Sequence, residues 1–271
     1  MSHHSDEEEG FAGDLFGEEE QEIKEPEPTS EVYTRNKNYI EDEISSLSIR
    51  LVGSHPLWAH HLWNASKVFA TFVDQHKDLC RNKYVLELGA GGALPSLMAA
   101  INQAAKVVVT DYPDSELIDN IQYNVNHNLG KLAKNVVVEG YIWGTSTTKL
   151  KSHLPSEQTT YDVIILSDLV FNHSQHHALL RTCKELLTPK TGRVYVFYTH
   201  HRPHLAHRDL QFFEIAQKPI LEDVDPEDRD LIGYGFKADH FMKEKMDVMF
   251  VEDPGDEEVR ATIHGWQLWL P

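Results

Sequence analysis

The 271-residue sequence predicts an α/β fold, a mostly parallel sheet with helices on both faces. Three observations predict it. From residue 50 onward, short β-branched runs alternate with stretches of helical apolar spacing. One run, Tyr84-Val85-Leu86-Glu87-Leu88, feeds directly into a glycine turn. The next, Val107-Val108-Val109-Thr110, ends on an acid, Asp111. Together these describe a doubly wound sheet that receives ligands beyond the carboxyl ends of its strands.

The elements follow in order. Tyr84 to Leu88 is the first strand, and a helix over Leu94 to Asn102 follows the turn. Val107 to Asp111 is the second strand. Ser115 to Asn128 is a helix carrying Leu117, Ile118, Ile121 and Val125 at helical spacing, with Gly130 as its stop. Val136 to Val138 forms a third strand running toward Trp143. Val163 to Leu166 is the fourth strand and the one with the most buried character. His177 to Leu187 is a helix ended by Pro189 and Gly192, Val194 to Tyr198 is the fifth strand, and Ala206 to Gln217 is another helix. Trp266 to Leu270 closes the chain's C-terminal region, and no internal repeat is visible.

Residues 1–43 are rich in Glu, Pro, Gly and Ser, with too little apolar content to offset the entropy of ordering. They are expected to be a disordered acidic tail, leaving 44–271 as the folded domain. Within the tail, Phe11-Ala12-Gly13-Asp14-Leu15-Phe16-Gly17 is a short apolar patch between acidic runs. The formal charge of −18 is concentrated there: residues 1–31 hold twelve acids against Lys24, and the other 240 residues carry −7. That balance argues against a nucleic-acid partner, which needs clustered Lys and Arg. No apolar run approaches the roughly 18–20 residues of a membrane span. Two cysteines, Cys80 and Cys183, cannot build a disulfide framework and fit a reducing compartment, so a cytoplasmic setting is expected. A monomer is expected.

The most informative segment is Glu87-Leu88-Gly89-Ala90-Gly91-Gly92-Ala93-Leu94-Pro95. A strand running through glycines into a helix brings backbone N–H groups against a ligand without Cβ obstruction. Asp111, twenty residues after Gly91, can accept hydrogen bonds from both hydroxyls of a ribose. A dinucleotide site would want glycine where Leu94 stands, and no Gly-Lys-Ser/Thr follows for a phosphate loop. Glu87 suits a cationic ligand such as the sulfonium and ammonium of S-adenosyl-L-methionine. At the other carboxyl ends lie Trp143, suited to stacking on an adenine, and Ser167-Asp168.

Pro56-Leu57-Trp58-Ala59-His60-His61-Leu62-Trp63-Asn64-Ala65, the glycine segment, Thr110-Asp111-Tyr112-Pro113-Asp114 and Leu166-Ser167-Asp168-Leu169-Val170-Phe171-Asn172-His173 together resemble one branch of the seven-strand protein lysine methyltransferases. Within that branch the match is to the fungal elongation factor methyltransferases, earlier described as nicotinamide N-methyltransferases. The resemblance covers roughly residues 50–271. It implies the Rossmann-like, seven-stranded, mostly parallel sheet of class I methyltransferases. It implies S-adenosyl-L-methionine contacts at Trp63, Gly89, Ala90, Gly91, Asp111, Trp143 and Ser167, and a catalytic, substrate-side role for Asp168. The family's Asp-x-x-Tyr motif ends here in Phe171, which keeps an aromatic wall but no phenol hydroxyl. The substrate it implies is translation elongation factor 1-alpha, methylated on its N-terminal glycine and adjacent lysine.

In such a site Phe171 and Tyr198 are expected to face the methylated cation. The alternative is a small-molecule, nicotinamide-type N-methyltransferase. Leu94 disfavours a nicotinamide-cofactor oxidoreductase, and Asp168 disfavours a non-catalytic binding module. His173, His176, His177, His200, His201, His204 and His207 invite a metal reading, but no thiolate lies near them and amine methylation needs no metal. They are read as loop or cap histidines, with no metal site expected.

Overall fold

In the computed structural model, which describes residues 26–221, 228 and 231–271, the apolar runs line up as neighbours in one sheet. The elements are β1 (Thr29–Thr34), β2 (Ser46–Leu51), α1 (Asn64–Gln75), β3 (Tyr84–Leu88), α2 (Leu94–Ile101), β4 (Lys106–Asp111), α3 (Ser115–Leu129) and β5 (Val136–Gly140). They continue with α4 (Thr148–Ser152), β6 (Val163–Ser167), α5 (His176–Leu186), β7 (Arg193–Thr199), α6 (Ala206–Gln217), β8 (Lys237–Lys245), α7 (Glu257–Ala261) and β9 (Thr262–Trp269). The large sheet has seven strands in the order β5-β4-β3-β6-β7-β9-β8. β5 through β7 are mutually parallel, while β9 runs antiparallel to both β7 and β8. The chain steps outward from β3 through β4 to β5, then returns to β6 on the other side of β3. That reversal places the ligand crevice at the carboxyl ends of β3 and β6.

The period of two along each strand divides the core. Val85, Val107, Val109, Ile165 and Phe197 face Phe69 of α1, Leu97 and Met98 of α2, and Ile121 of α3. Their neighbours Leu86, Val108, Ile164, Leu166 and Val196 face the opposite layer, with Leu179 and Leu180 of α5 and Phe212 and Phe213 of α6. Both sheet faces are therefore dry, which is why these strands read as continuous apolar runs rather than alternating ones. No helix among the described residues is long and apolar enough to cross a membrane.

The expected tail boundary at residue 43 falls too late. β1 lies inside that segment, paired antiparallel with β2 from Thr29↔Leu51 to Thr34↔Ser46. Tertiary contacts hold it rather than composition. Arg35, with a fully buried side chain, donates from Nε and Nη2 to the two carboxylate oxygens of Asp74 on α1, at 2.9 and 2.8 Å. Its Nη1 reaches Asp42 at 2.7 Å. Burial alone would depress the guanidinium, but the hydrogen bonds and charges of Asp74 and Asp42 more than offset it and hold it above its ordinary value. The Phe11–Gly17 patch and the rest of residues 1–25 lie outside the described residues.

The other edge of β2 is closed by side chains. Asn120, Asn124 and Asn128 project from one face of α3 at spacings of four. Asn128 and Asn124 each accept from and donate to the backbone of one β2 residue, Ser48 and Arg50 respectively, at 2.8–2.9 Å. Asn120 adds a bond to the Arg50 carbonyl. Asn124 also donates to the carbonyl of Gly92, at 3.1 Å, which ties the hairpin to the glycine turn.

Candidate active site

Strand β3 enters the turn through Gly89, whose φ of +63° is the left-handed region that favours glycine. A Cβ there would lie 2.8 Å from Leu169 and 2.9 Å from the Trp143 ring, so only glycine lets these side chains close on the turn. Gly91, at φ +52°, is different: a Cβ there would meet nothing within 4 Å, and its backbone faces open space. Ala90 lies between them, its N–H donating to the carbonyl of Thr110. Helix α2 begins just beyond with Leu94 and Pro95, so its N-terminus stands close to the turn.

Asp111, the last residue of β4, is 7% exposed. Its Oδ2 accepts the Gly91 N–H and its Oδ1 the Tyr112 N–H, both at 2.7 Å. Burial raises its pKa from the ordinary carboxylate value, and the two amides offset this only in part. Each oxygen retains a lone pair for a ligand hydroxyl. Ser167, at the end of β6, carries a buried hydroxyl with no partner among the described residues. The open face of Gly91 and this orphaned hydroxyl fit a ligand with hydroxyl and amine groups, seated over the crevice.

Asp168 follows at φ +58°, a conformation that Asp tolerates better than most residues. Its N–H donates to the Phe197 carbonyl at 2.7 Å, and Leu169 packs against Gly89, so the end of β6 and the glycine turn adjoin. The residue is 5% exposed. Its Oδ1 accepts the Thr199 N–H at 3.3 Å, and its Oδ2 lies 2.9 Å from His201 Nε2. Opposite a carboxylate that nitrogen donates. The His201 ring stands edge-on to Trp63 with centroids 4.8 Å apart, and Trp63 in turn is flanked by His61 and Phe250.

The sequence-predicted residues thus fall into two adjoining groups. Gly89, Ala90, Gly91, Asp111 and Trp143 gather around the turn, while Asp168 and Trp63 meet through His201, with Ser167 beside them. Phe171 is half-buried, its carbonyl held by Arg202. Tyr198 is a correction. It is fully buried on the α5–α6 face of the sheet, with its ring against His200, Phe213 and His264, and it cannot face a substrate cation. Successive residues of a strand point to opposite faces, which takes Tyr198 into the core.

Glu87 is a second correction. It is completely buried, and its Oε2 accepts the backbone N–H of Ser96 at 3.1 Å, so it serves the first turn of α2 rather than a cationic ligand. Burial is the main cause that pushes its carboxyl from 4.5 up to about 8, with Asp111 adding to it. The folded state therefore holds this proton between about pH 4.5 and 8 where the unfolded chain releases it. The associated stability is complete below 4.5 and is lost as pH rises through 8. Glu87→Gln is expected to unfold at a higher temperature than the wild type at pH 8.5. The gap should shrink toward pH 5, as thermal melts across that range would show.

The sequence reading took His201 for a loop or cap histidine, whereas the structure sets it against Asp168. Its position just beyond the fifth parallel strand is the signal that could have found it, by the rule that singled out Asp168. Of the other histidines, His173, His176, His177 and His200 are hydrogen-bonded within the fold. His173 and His200 clamp the two oxygens of Asp209 at 2.7 Å each, and His176 binds the Val170 carbonyl. Three potential ligand atoms, on His55, Asp114 and Glu116, do come within 4.8 Å of one another at the surface near Asp111.

Comparison with known proteins identifies the family. A family model described as "Lysine methyltransferase" matches residues 43–219. The protein N-terminal and lysine N-methyltransferase EFM7 of Cryptococcus neoformans is 43% identical over 247 residues, covering 85% of this chain and 78% of its own. Its namesake in Schizosaccharomyces pombe is 41% identical, covering 91% and 90% of the two chains, and that of Eremothecium gossypii is 46% identical, covering 83% and 80%. Among solved structures, a putative transferase from Pyrococcus horikoshii superposes with a TM-score of 0.52 at 13% identity, covering 90% of this chain and 73% of the other. A putative methyltransferase from Streptococcus mutans gives 0.53 at 14% identity, over 82% and 53%. These two likenesses speak to the class I, Rossmann-like fold alone. By the family-model match and by the identity shared with the fungal enzymes over most of its length, the chain belongs to the lysine methyltransferase family.

Proposed function

We propose that this protein uses S-adenosyl-L-methionine to methylate the N-terminal glycine α-amine and the adjacent lysine of translation elongation factor 1-alpha. The observation that carries the reading is the buried carboxylate of Asp168 at the switch point, adjoining a glycine turn with an open backbone face. The names of the fungal relatives support the N-terminal and lysine targets. When bound, the cofactor supplies a methyl group activated by its sulfonium. Gly91, Asp111 and Ser167 would hold its amine and hydroxyl groups, with Trp143 against the turn and Trp63 on the reacting side.

Asp168 receives the incoming amine by hydrogen bond and orients its lone pair. Holding two reactants in line can contribute roughly 7–11 kcal/mol to the rate. An α-amine titrates near 8 and a lysine near 10.4, so at pH 7 the N-terminus gives up its proton more readily by roughly 3 kcal/mol. Both cysteines are buried and unpaired, which supports a reducing, cytoplasmic setting. We read the acidic N-terminal segment as gathering a basic protein at short range, since charge is screened beyond about 8 Å at physiological salt.

Incubation of purified elongation factor 1-alpha with the protein and methyl-labelled cofactor tests the reading. Mass spectrometry is expected to place methyl groups on the N-terminal glycine and the next lysine. Label on free nicotinamide and none on the factor would establish the small-molecule alternative instead. The cradle has its own test. Gly91→Ala puts a methyl group into the open face of the turn, at a backbone cost of about 1–2 kcal/mol for the left-handed conformation. S-adenosylhomocysteine should bind at least about tenfold more weakly to the variant by calorimetry, a loss of about 1.4 kcal/mol. The fold should persist.

A further inference from the structure

We propose that His201 is the general base of the transfer: held by Asp168 through Nε2, it takes the proton of the substrate ammonium on Nδ1. The inference rests on the methyl-transfer reading above and deepens it. A protonated amine has no lone pair to give, so a proton must leave before a methyl group arrives. Asp168 is a poor acceptor for it, because a carboxylate is far weaker as a base than an amine.

The geometry of His201 suits the task. With Nε2–H donating to Asp168 Oδ2 at 2.9 Å, the neutral ring must carry its lone pair on Nδ1. That nitrogen has no hydrogen-bond partner among the described residues. The side chain is 22% exposed where Asp168 is 3%, so it is the member of the pair that reaches the mouth of the site. Trp63 fixes the ring plane from the entry to α1. The charged neighbours are Asp168 from the end of β6, Asp209 from α6 and Arg202 from its own loop. Burial pulls the imidazole down and Arg202 adds to that, but Asp168 and Asp209 outweigh both, and the net direction is upward from 6.5. An acceptor above 6.5 approaches the α-amine it would deprotonate, the condition for efficient proton transfer near neutral pH.

The step balances as follows. The ammonium N–H bond breaks and its proton bonds to Nδ1, leaving the electron pair on nitrogen. That pair forms the N–CH3 bond as the S–CH3 bond breaks, and the sulfur keeps the departing pair as a neutral thioether. The imidazolium then releases its proton to water.

His201→Gln keeps an amide donor for Asp168 and removes the base. With an N-terminal peptide of the factor as substrate, kcat at pH 7 is expected to fall about 100-fold, within the range of general-base catalysis. S-adenosylhomocysteine affinity should stay within about twofold, because no cofactor group is removed. Activity should recover toward the wild type by pH 9, where the α-amine deprotonates unaided. Nitrogen-15 NMR of labelled histidine in the full chain should show His201 titrating above 6.5, with Nε2 protonated in the neutral form, and lower in Asp168→Asn. A variant with unchanged kcat and pH profile overturns the inference. So does an equal loss at every pH, which would mark a positioning role, or a wild-type ring that titrates at or below 6.5. A wild type that methylates no peptide amine at any pH overturns the proposed function itself and this inference with it.

Discussion

Asp168→Asn is expected to lower turnover about 1,000-fold and to leave S-adenosylhomocysteine binding within about twofold of the wild type. The asymmetry follows from what the side chain touches. Its oxygens meet Thr199 N–H and His201 and no part of the glycine turn or Asp111, so the cradle keeps its shape. The backbone survives because asparagine shares with aspartate a tolerance of φ near +58°. The chemistry does not. An amide NH2 opposite His201 Nε2 makes that nitrogen an acceptor and shifts the ring proton to Nδ1, the wrong tautomer for a base. The incoming amine also loses its charged acceptor. Calorimetry with S-adenosylhomocysteine and single-turnover methylation of an N-terminal peptide separate these effects. Full turnover with unchanged cofactor binding would falsify the role of Asp168.

The second large effect is on stability. Arg35→Met is expected to destabilise the fold by about 3–5 kcal/mol, a fall of roughly 10 °C in the thermal midpoint. The methionine fills much of the space, but the carboxylate of Asp74, buried to 1%, is left with no guanidinium to pair with. Most of the loss is the desolvation of that carboxylate. The double variant Arg35→Met with Asp74→Leu should therefore be more stable than Arg35→Met alone, since an apolar pair can replace a buried ion pair with little loss. Denaturant titrations of the three proteins give the comparison. A double variant no more stable than the single one would show that Arg35 acts by packing.

The five parallel strands were legible because apolar residues run almost unbroken along them, the pattern of a sheet covered on both faces. The glycine turn and Asp111 were legible because left-handed backbone and an acid at fixed spacing leave marks in sequence. What escaped was made of polar residues satisfied at a distance. β1 reads Thr-Ser-Glu-Val-Tyr-Thr, with Val32 68% exposed, and nothing local announces that Arg35 will find Asp74 thirty-nine residues on. β8, Lys-Ala-Asp-His-Phe-Met-Lys-Glu-Lys, is an edge strand, where charge guards the open side and hides the strand from hydrophobic patterning. Helix α1 carried a readable signal in Ala65, Val68, Phe69 and Val73, but no side chain caps its start. Within the site, Glu87 and Tyr198 were misplaced because strand parity, rather than residue type, decides which layer a side chain enters.

The asparagines of α3 have one more consequence, for how the molecule behaves in a crowd. A two-stranded hairpin outside the main sheet ordinarily offers a row of free amides to any extended chain nearby, the starting point of intermolecular β growth. Here the amides and carbonyls of Ser48 and Arg50 are already spoken for by carboxamides on a rigid helix. On its β2 side the hairpin thus ends in a finished edge, closed to intermolecular pairing without a further strand.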